Sequence, residues 1–423
     1  MKRKGKTLLF LFLSIRVIAQ IPQVQVPQPA TLSPQSVVGY PNQQNNNVRQ
    51  QNQQDFQRQR QRQSELQQIL AEAENDFKPK TILYELPYNT DKIGTGFYHK
   101  AFDTINLMLD KKRVLNLKQA VFLTENAYYG QPVYFDWFSS RIEEYVAIIK
   151  QEIDKKGYDF NNVSARKWGI QHFLADTIQI KDEQGKIVYT HFPFTYDFHD
   201  IWGKEDMTKQ FVSKLMSEGN GQCHSMPLLY LILAEALNVK DAWLSFSPSH
   251  TFVKVKDKRG NMINYEATNG QYTTDTWVQS SGFIKAEALR NKTYMDTLSK
   301  SETIATCLAD LASGYIHKFG YDKFVLECTE KALKYSPNNV YALQIQANYQ
   351  TRLFMYVINQ LGRPPLKDLP KYPEAFAMYQ KMQQNYQIID AIGFEEMPEN
   401  IYAAWLKSIE TMKGLQPIKV IRP

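Results

Sequence analysis

The sequence predicts an α+β unit with a helical N-terminal part, followed by an all-helical unit. Three observations point there. A glycine turn, Gly219-Asn220-Gly221, opens into a stretch where Met226, Leu229, Tyr230, Leu233 and Leu237 recur at helical intervals, the pattern of a helix with one face in a core. Two β-rich runs follow, 243–256 and the run through Glu266, joined by the turn Asp257-Lys258-Arg259-Gly260, which reads as a hairpin. Farther on, Leu308, Ala312 and Ile316 share a helical face, and Gly320 and Pro337-Asn338-Asn339 break the chain after it.

In chain order, residues 1–19 have the pattern of an export leader. Lys2, Arg3, Lys4 and Lys6 precede the apolar run Leu8 to Ile15, and Val17-Ile18-Ala19 stands before a cut ahead of Gln20. Interrupted by Arg16, the run is too short for a spanning helix, which needs about 20 apolar residues. The expectation is a secreted or periplasmic protein with no membrane insertion once the leader is removed. Residues 20–75 are rich in Gln, Asn, Pro and Arg, offer little to bury, and read as a disordered linker. Residues 1–64 hold nine basic groups and one acid, so they carry more than the whole chain's net +7, and the remainder stands at −1. The basicity belongs to the tail, and a nucleic-acid partner for the folded part loses its main support. Two units are expected in what remains, 76–298 and 299–423.

The first unit opens with helices. Ser140 and Glu143 are spaced as a capping box, and Ile142, Tyr145, Val146, Ile149 and Ile153 line one face. Residues 168–180 read as more helix. Gly185 turns the chain into a strand over 186–191, and Phe211 and Leu215 begin the helix that leads to the glycine turn. The aromatics Tyr128, Tyr129, Tyr134, Phe135, Trp137 and Phe138 read as core or groove wall. No Gly-rich phosphate loop occurs, and no cofactor is expected.

The chemistry is concentrated between Gly219 and Asn269. Cys223 follows the glycine turn at a helix start, where free N–H groups and the helix dipole favour a thiolate and can steady an oxyanion. His250 comes 27 residues later and Glu266 a further 16, on neighbouring strands. His250 can take the thiol proton while Glu266 fixes the ring tautomer. Asn264 shares a strand face with Glu266 and is the reserve for that third role; Gln222 is a second oxyanion donor on position alone. Against these stand the plainer readings: a core cysteine, a satisfied histidine, a solvated glutamate. His224 is a poor base, since adjacent helix residues point about 100° apart. A Cys223, His224 and His250 zinc site lacks a further ligand at metal spacing. Of the three cysteines, Cys307 and Cys328 are bridged or merely buried, which leaves Cys223 as the free thiol.

At these residues the chain resembles the transglutaminase-like superfamily. Gly221-Gln222-Cys223 is similar to its Gly-x-Cys helix start, His250 to its strand histidine, and Glu266-Ala267-Thr268 to its Asp-Pro-Thr, with Glu for Asp and Ala for Pro. The resemblance implies a papain-like core with a Cys-His-acid triad. In the second unit, Gly320-Tyr321, Ala332 and Pro337-Asn338-Asn339 fall at tetratricopeptide spacing. A weaker copy follows, with helices over 341–356 and 372–384, Gly362-Arg363-Pro364-Pro365 in an enlarged loop, and a final helix over 400–412. The whole is similar to bacterial proteins that join the two modules, some of which lack the thiol. The expected function is exported cysteine-dependent acyl transfer, hydrolysis or transamidation of an amide in a protein or peptide substrate. The alternative is a non-catalytic scaffold that binds a protein partner through the fold and its helical repeats.

Overall fold

The computed structural model describes residues 57–58, 60–65, 67, 81–130, 134–282 and 284–412. The leader expected over 1–19 lies outside the described residues, as does most of the 20–75 linker; the linker residues that are described are helical rather than irregular. Gln, Arg and Glu lose little rotamer freedom in a helix, so a run of them winds readily. The chain divides between Pro79 and Lys80, and the elements that build the site all lie in the second part.

Helices α1 (Thr95–Leu109) and α2 (Leu117–Tyr129) are consecutive and packed together. Helix α3 (Phe135–Lys155) begins more than a turn before the expected Ser140–Glu143 box. Phe122 meets Phe135 and Phe138 edge-on at 5.1 and 5.7 Å, so aromatic packing rather than a cap sets that start. Ile142, Tyr145, Ile149 and Ile153 are buried as their period requires. Helix α4 (Val163–Ala175) stops at Asp176, and the helix expected to run to residue 180 is cut short there. Residues Ile178–Lys181 instead form strand β1, antiparallel to β2 (Ile187–His191). A short apolar run such as Ile178-Gln179-Ile180 fits either period, and pairing with β2 decides it.

Strand β3 (Thr195–Tyr196), helix α5 (Val212–Glu218), strand β4 (Asn220–Gly221) and helix α6 (Ser225–Ala236) follow, with β3 and β4 paired in parallel. Strands β5 (Ala242–Ser247), β6 (His250–Lys256), β7 (Met262–Glu266) and β8 (Gln271–Thr273) then form an antiparallel sheet in chain order. The turn at 257–260 joins β6 to β7, as its sequence requires. Helix α6 lies across β5 and β6 and is flanked by α3, α4 and α5. The period of its apolar residues gave it one buried face, but every residue from Ser225 to Ala234 is buried. A helix enclosed between a sheet and other helices must be apolar all round, and Leu228 to Ala234 meets that demand.

Short helices α7 (Asp275–Ser281) and α8 (Ala286–Arg290) lead to α9 (Lys300–Phe319), α10 (Lys323–Tyr335), α11 (Val340–Gln360), α12 (Pro373–Ala391) and α13 (Glu399–Met412). Ser299 and Glu302 close a capping box at the start of α9. Helices α9 to α12 pack as successive neighbours, and α9 also packs on α1 and α2, so the boundary expected at 298/299 falls inside one compact body. Cys307 and Cys328 are buried free thiols, not a bridge. The architecture is α+β, and no helix among the described residues is long and apolar enough to cross a membrane.

Candidate active site

The turn that carries Cys223 is held from three sides. Gly219 takes a left-handed backbone, φ 75°, and its N–H closes α5 on Leu215 C=O. Thr195 N–H donates to Gly219 C=O at 2.9 Å and Asp197 N–H to Gly221 C=O at 2.8 Å, which locks β3 to the residues just before Cys223. The buried Lys214 ammonium donates to Asp197 Oδ2 at 2.8 Å and to Asn220 C=O at 3.1 Å. Gly221 is required for space rather than for its backbone angles. A Cβ there would lie 2.5 Å from Ser225 Oγ and 2.9 Å from Leu215 Cδ1.

Cys223 sits in the turn two residues ahead of α6, not inside the helix as its period suggests. The chain is already winding, because Met226 N–H donates to Gln222 C=O at 3.1 Å and Ser225 Oγ accepts the Gln222 N–H at 3.0 Å. The Cys223 N–H donates to no acceptor among the described residues, which leaves it available at the positive end of α6.

His250 opens β6 immediately after the tight connection Pro248-Ser249, where Ser249 has φ 58° and Ser247 pairs with His250. The Val253–Tyr265 register puts His250 and Glu266 on one face of adjacent strands. His250 Nε2 donates to Glu266 Oε2 at 2.7 Å, and each side chain is only 3% exposed. The other carboxylate oxygen accepts the Thr268 hydroxyl at 2.7 Å and the Thr268 N–H at 3.3 Å, so the Glu-Ala-Thr segment orients its own acid. With Nε2 committed, Nδ1 is the ring nitrogen left on the Cys223 side; it makes no hydrogen bond of acceptable geometry among the described residues, yet thiol and ring are near enough to shift each other's protonation.

The electrostatics follow from this proximity. Burial alone would raise the Cys223 thiol, but the nearby His250, aided by the charge of His224, brings it below its ordinary value. Burial likewise opposes a charged ring at His250, yet the Glu266 carboxylate, with the Cys223 contact, holds it up to about 10. Each group thus favours the charged form of the other, which shifts the balance towards a thiolate–imidazolium pair.

Two sequence-stated alternatives are engaged elsewhere. Asn264 is on the expected face, but its Nδ2 donates to Asp275 Oδ1 at 2.9 Å, where Lys254 also binds. The Gln222 amide donates to the carbonyls of Asp197, His199 and Asp200 at 3.1–3.2 Å, so it ties down a loop instead of presenting a donor to substrate. His224 turns away to Asp310 on α9 at 3.1 Å, and burial notwithstanding, that carboxylate holds it up to about 9. No group of three His, Cys, Asp or Glu arranged to hold a metal ion occurs among the described residues.

Sequence reasoning missed an aromatic cover. Trp405 on α13 stands edge-on to His250 with ring centroids 4.4 Å apart, and Tyr402, one turn away, stacks on Trp202 at 4.7 Å. Tyr196 on β3 and Tyr402 both face the thiol. A Tyr-x-x-Trp pattern at three-residue spacing was the only signal available, and it reads equally as a core stripe.

No protein-family model and no curated protein matches the chain. Among solved structures it is similar to menin, in a crystal structure described as revealing the binding site for the Mixed Lineage Leukemia (MLL) protein. The identity is 12% and the TM-score 0.31, over 79% of this chain and 97% of that one, a likeness too low to carry an argument.

Proposed function

We propose that the chain is an exported cysteine-dependent acyl-transfer enzyme of transglutaminase-like type, acting on an amide in a protein or peptide. One observation carries the reading: the buried His250–Glu266 pair, its acid positioned by Thr268, keeps an unpartnered ring nitrogen beside Cys223. The thiolate attacks the carbonyl carbon, and the carbonyl electron pair passes to the oxygen, near the unused N–H of Cys223. As the intermediate collapses, the leaving amine takes the His250 proton and a thioester remains. Water or an amine then gives its proton back to His250 as it attacks, and Cys223 leaves as thiolate. Glu266 holds the ring tautomer and stabilises the imidazolium throughout. Every step uses groups of this chain and one acyl acceptor. The export component rests on residues 1–19, and α9 to α12, at tetratricopeptide-like spacing, supply a surface for a protein partner.

The cover formed by Tyr402 and Trp405 favours a second reading, a scaffold whose thiol is idle. Iodoacetamide near pH 7 separates the two, because a thiolate reacts and an idle core thiol does not. Alkylation of Cys223 ahead of Cys307 and Cys328, mapped by mass spectrometry, is the expected result. A Cys223 as inert as the other two overturns the enzyme reading in favour of the scaffold.

A further inference from the structure

We infer that Tyr196 is a catalytic residue whose hydroxyl, with the Cys223 N–H, completes the oxyanion site; this rests on the acyl-transfer reading above. Tyr196 is 6% exposed, and its hydroxyl faces the Cys223 sulfur and the Tyr402 hydroxyl. It makes no hydrogen bond of acceptable geometry among the described residues. A buried hydroxyl without a partner costs stability, on the order of 1–3 kcal/mol, and such a group in a native site asks for an occupant. The occupant that fits a donor beside a nucleophilic sulfur is the oxygen of the carbonyl under attack.

The backbone makes the placement rigid. Tyr196 is in register with Gly221, and the hydrogen bonds of Thr195 and Asp197 that flank it fix β3 to the nucleophile turn. The Tyr402 hydroxyl is also unpartnered, but it is carried on the covering helix α13, not on the turn. Burial pushes the Tyr196 phenol far above its ordinary value, so it remains a donor wherever the thiolate exists. When the thiolate forms its bond to the carbonyl carbon, the π pair moves to oxygen and is held by the phenol O–H and the Cys223 N–H. Both donors keep their protons when the C=O bond re-forms and the leaving group departs with the proton from His250.

The test compares two reactions of the same thiol in the full mature chain. p-Nitrophenyl acetate acylates Cys223 through an oxyanion, whereas iodoacetamide alkylates it by displacement with no oxyanion at all. Tyr196→Phe should slow the nitrophenolate burst about a hundredfold, the loss typical of one oxyanion donor. Iodoacetamide alkylation should change by less than about threefold, since the thiolate survives. A burst undiminished in Tyr196→Phe, or a loss equal in both reactions, overturns the assignment. A larger burst loss in Tyr402→Phe than in Tyr196→Phe overturns it as well. Because the hydroxyl is unpartnered in the resting fold, the variant should melt at or above wild type, and a drop of many degrees would refute that premise. A wild type that is alkylated at Cys223 yet shows no Cys223-dependent burst overturns the acyl-transfer reading itself.

Discussion

Trp405 lies edge-on against His250, ring centroids 4.4 Å apart and planes at 69°, so the helix at the C-terminal end of the described chain closes over the His250 imidazole. With Trp405 9% exposed and Tyr402 1%, the contact is a packed one. An edge-to-face pair contributes about 0.5–1.5 kcal/mol beyond its area. Trp405→Ala should therefore raise the fraction of molecules with an open site, and with it the alkylation of Cys223 by N-ethylmaleimide, by about two- to tenfold. Thiol labelling at fixed pH measures this. A rate equal to wild type would mean that α13 does not limit access.

The placement of the three residues was legible because each carries a local signature: a glycine turn before Cys223, and a period-2 register that puts His250 and Glu266 on one face. The pairing of β3 with β4 was not, since Tyr196 and Gly221 are 25 residues apart and two-residue strands leave no period to read. The start of α3 was missed for a related reason. Ser140 and Glu143 satisfy a local capping rule, but Phe135 and Phe138 pack on Phe122 of another helix, and that contact extends the helix backwards past the apparent cap. Asn264 and Glu266 look equivalent along the strand, and only the positions of Asp275 and Thr268 divide their roles.

That division is testable. Glu266→Gln removes the charge that sustains the His250 imidazolium while nearly preserving shape, so Cys223 alkylation at neutral pH should slow by about tenfold or more. Asn264→Ala breaks a hydrogen bond to Asp275 and should cost about 1 kcal/mol of stability while leaving the alkylation rate nearly unchanged. Alkylation kinetics beside thermal melts separate the two effects. A greater kinetic loss in Asn264→Ala would transfer the orienting role to Asn264.

Gly221 leads to a stability prediction. A methyl group there would meet Ser225 Oγ at 2.5 Å and Leu215 at 2.9 Å, and the glycine's own carbonyl is bonded to Asp197 while the next residue, Gln222, is pinned to the start of α6. Relief must come from moving Ser225 or Leu215, both buried, so Gly221→Ala should destabilise by about 1–3 kcal/mol, the usual range for overpacking. Chemical denaturation measures it, and a cost under half the lower figure would show that the turn can yield.

His224 and Asp310 link the nucleophile turn to α9, and their pH dependence has a definite sign. His224 is held up to about 9, above its ordinary 6.5, so the folded chain binds this proton more tightly than the unfolded chain does. The stabilisation is fully present below about 6.5 and is lost as pH rises through about 9. Wild type should therefore lose melting temperature between pH 6 and pH 9.5 more steeply than Asp310→Asn, in which the charge partner is gone. Glu125, also near His224 and itself raised by burial to about 7, is common to both proteins and cancels in the comparison. Parallel melting curves would show that the pair carries no such coupling.

The last prediction concerns the thiol itself. His250 is held up to about 10 and Cys223 lies below its ordinary 9.0, so the charged form of each group favours the charged form of the other. The rate of alkylation by iodoacetamide should rise through the depressed thiol value and stay level across the range where free cysteine is still gaining reactivity. In His250→Ala the neighbouring ring that lowers the thiol is absent, and the burial that opposes ionisation is no longer offset. The midpoint of the rate profile should then move up by more than one pH unit, equivalent to about 1.4 kcal/mol of lost thiolate stabilisation. Acylation by a p-nitroanilide, whose leaving amine takes the His250 proton, should behave differently at the alkaline end, falling above about pH 10 as the ring loses its proton, while alkylation holds. A wild-type midpoint at or above 9.0, unchanged in His250→Ala, would mean that the contact between sulfur and ring carries no proton transfer, and Cys223 would then be an ordinary thiol in an unusual place.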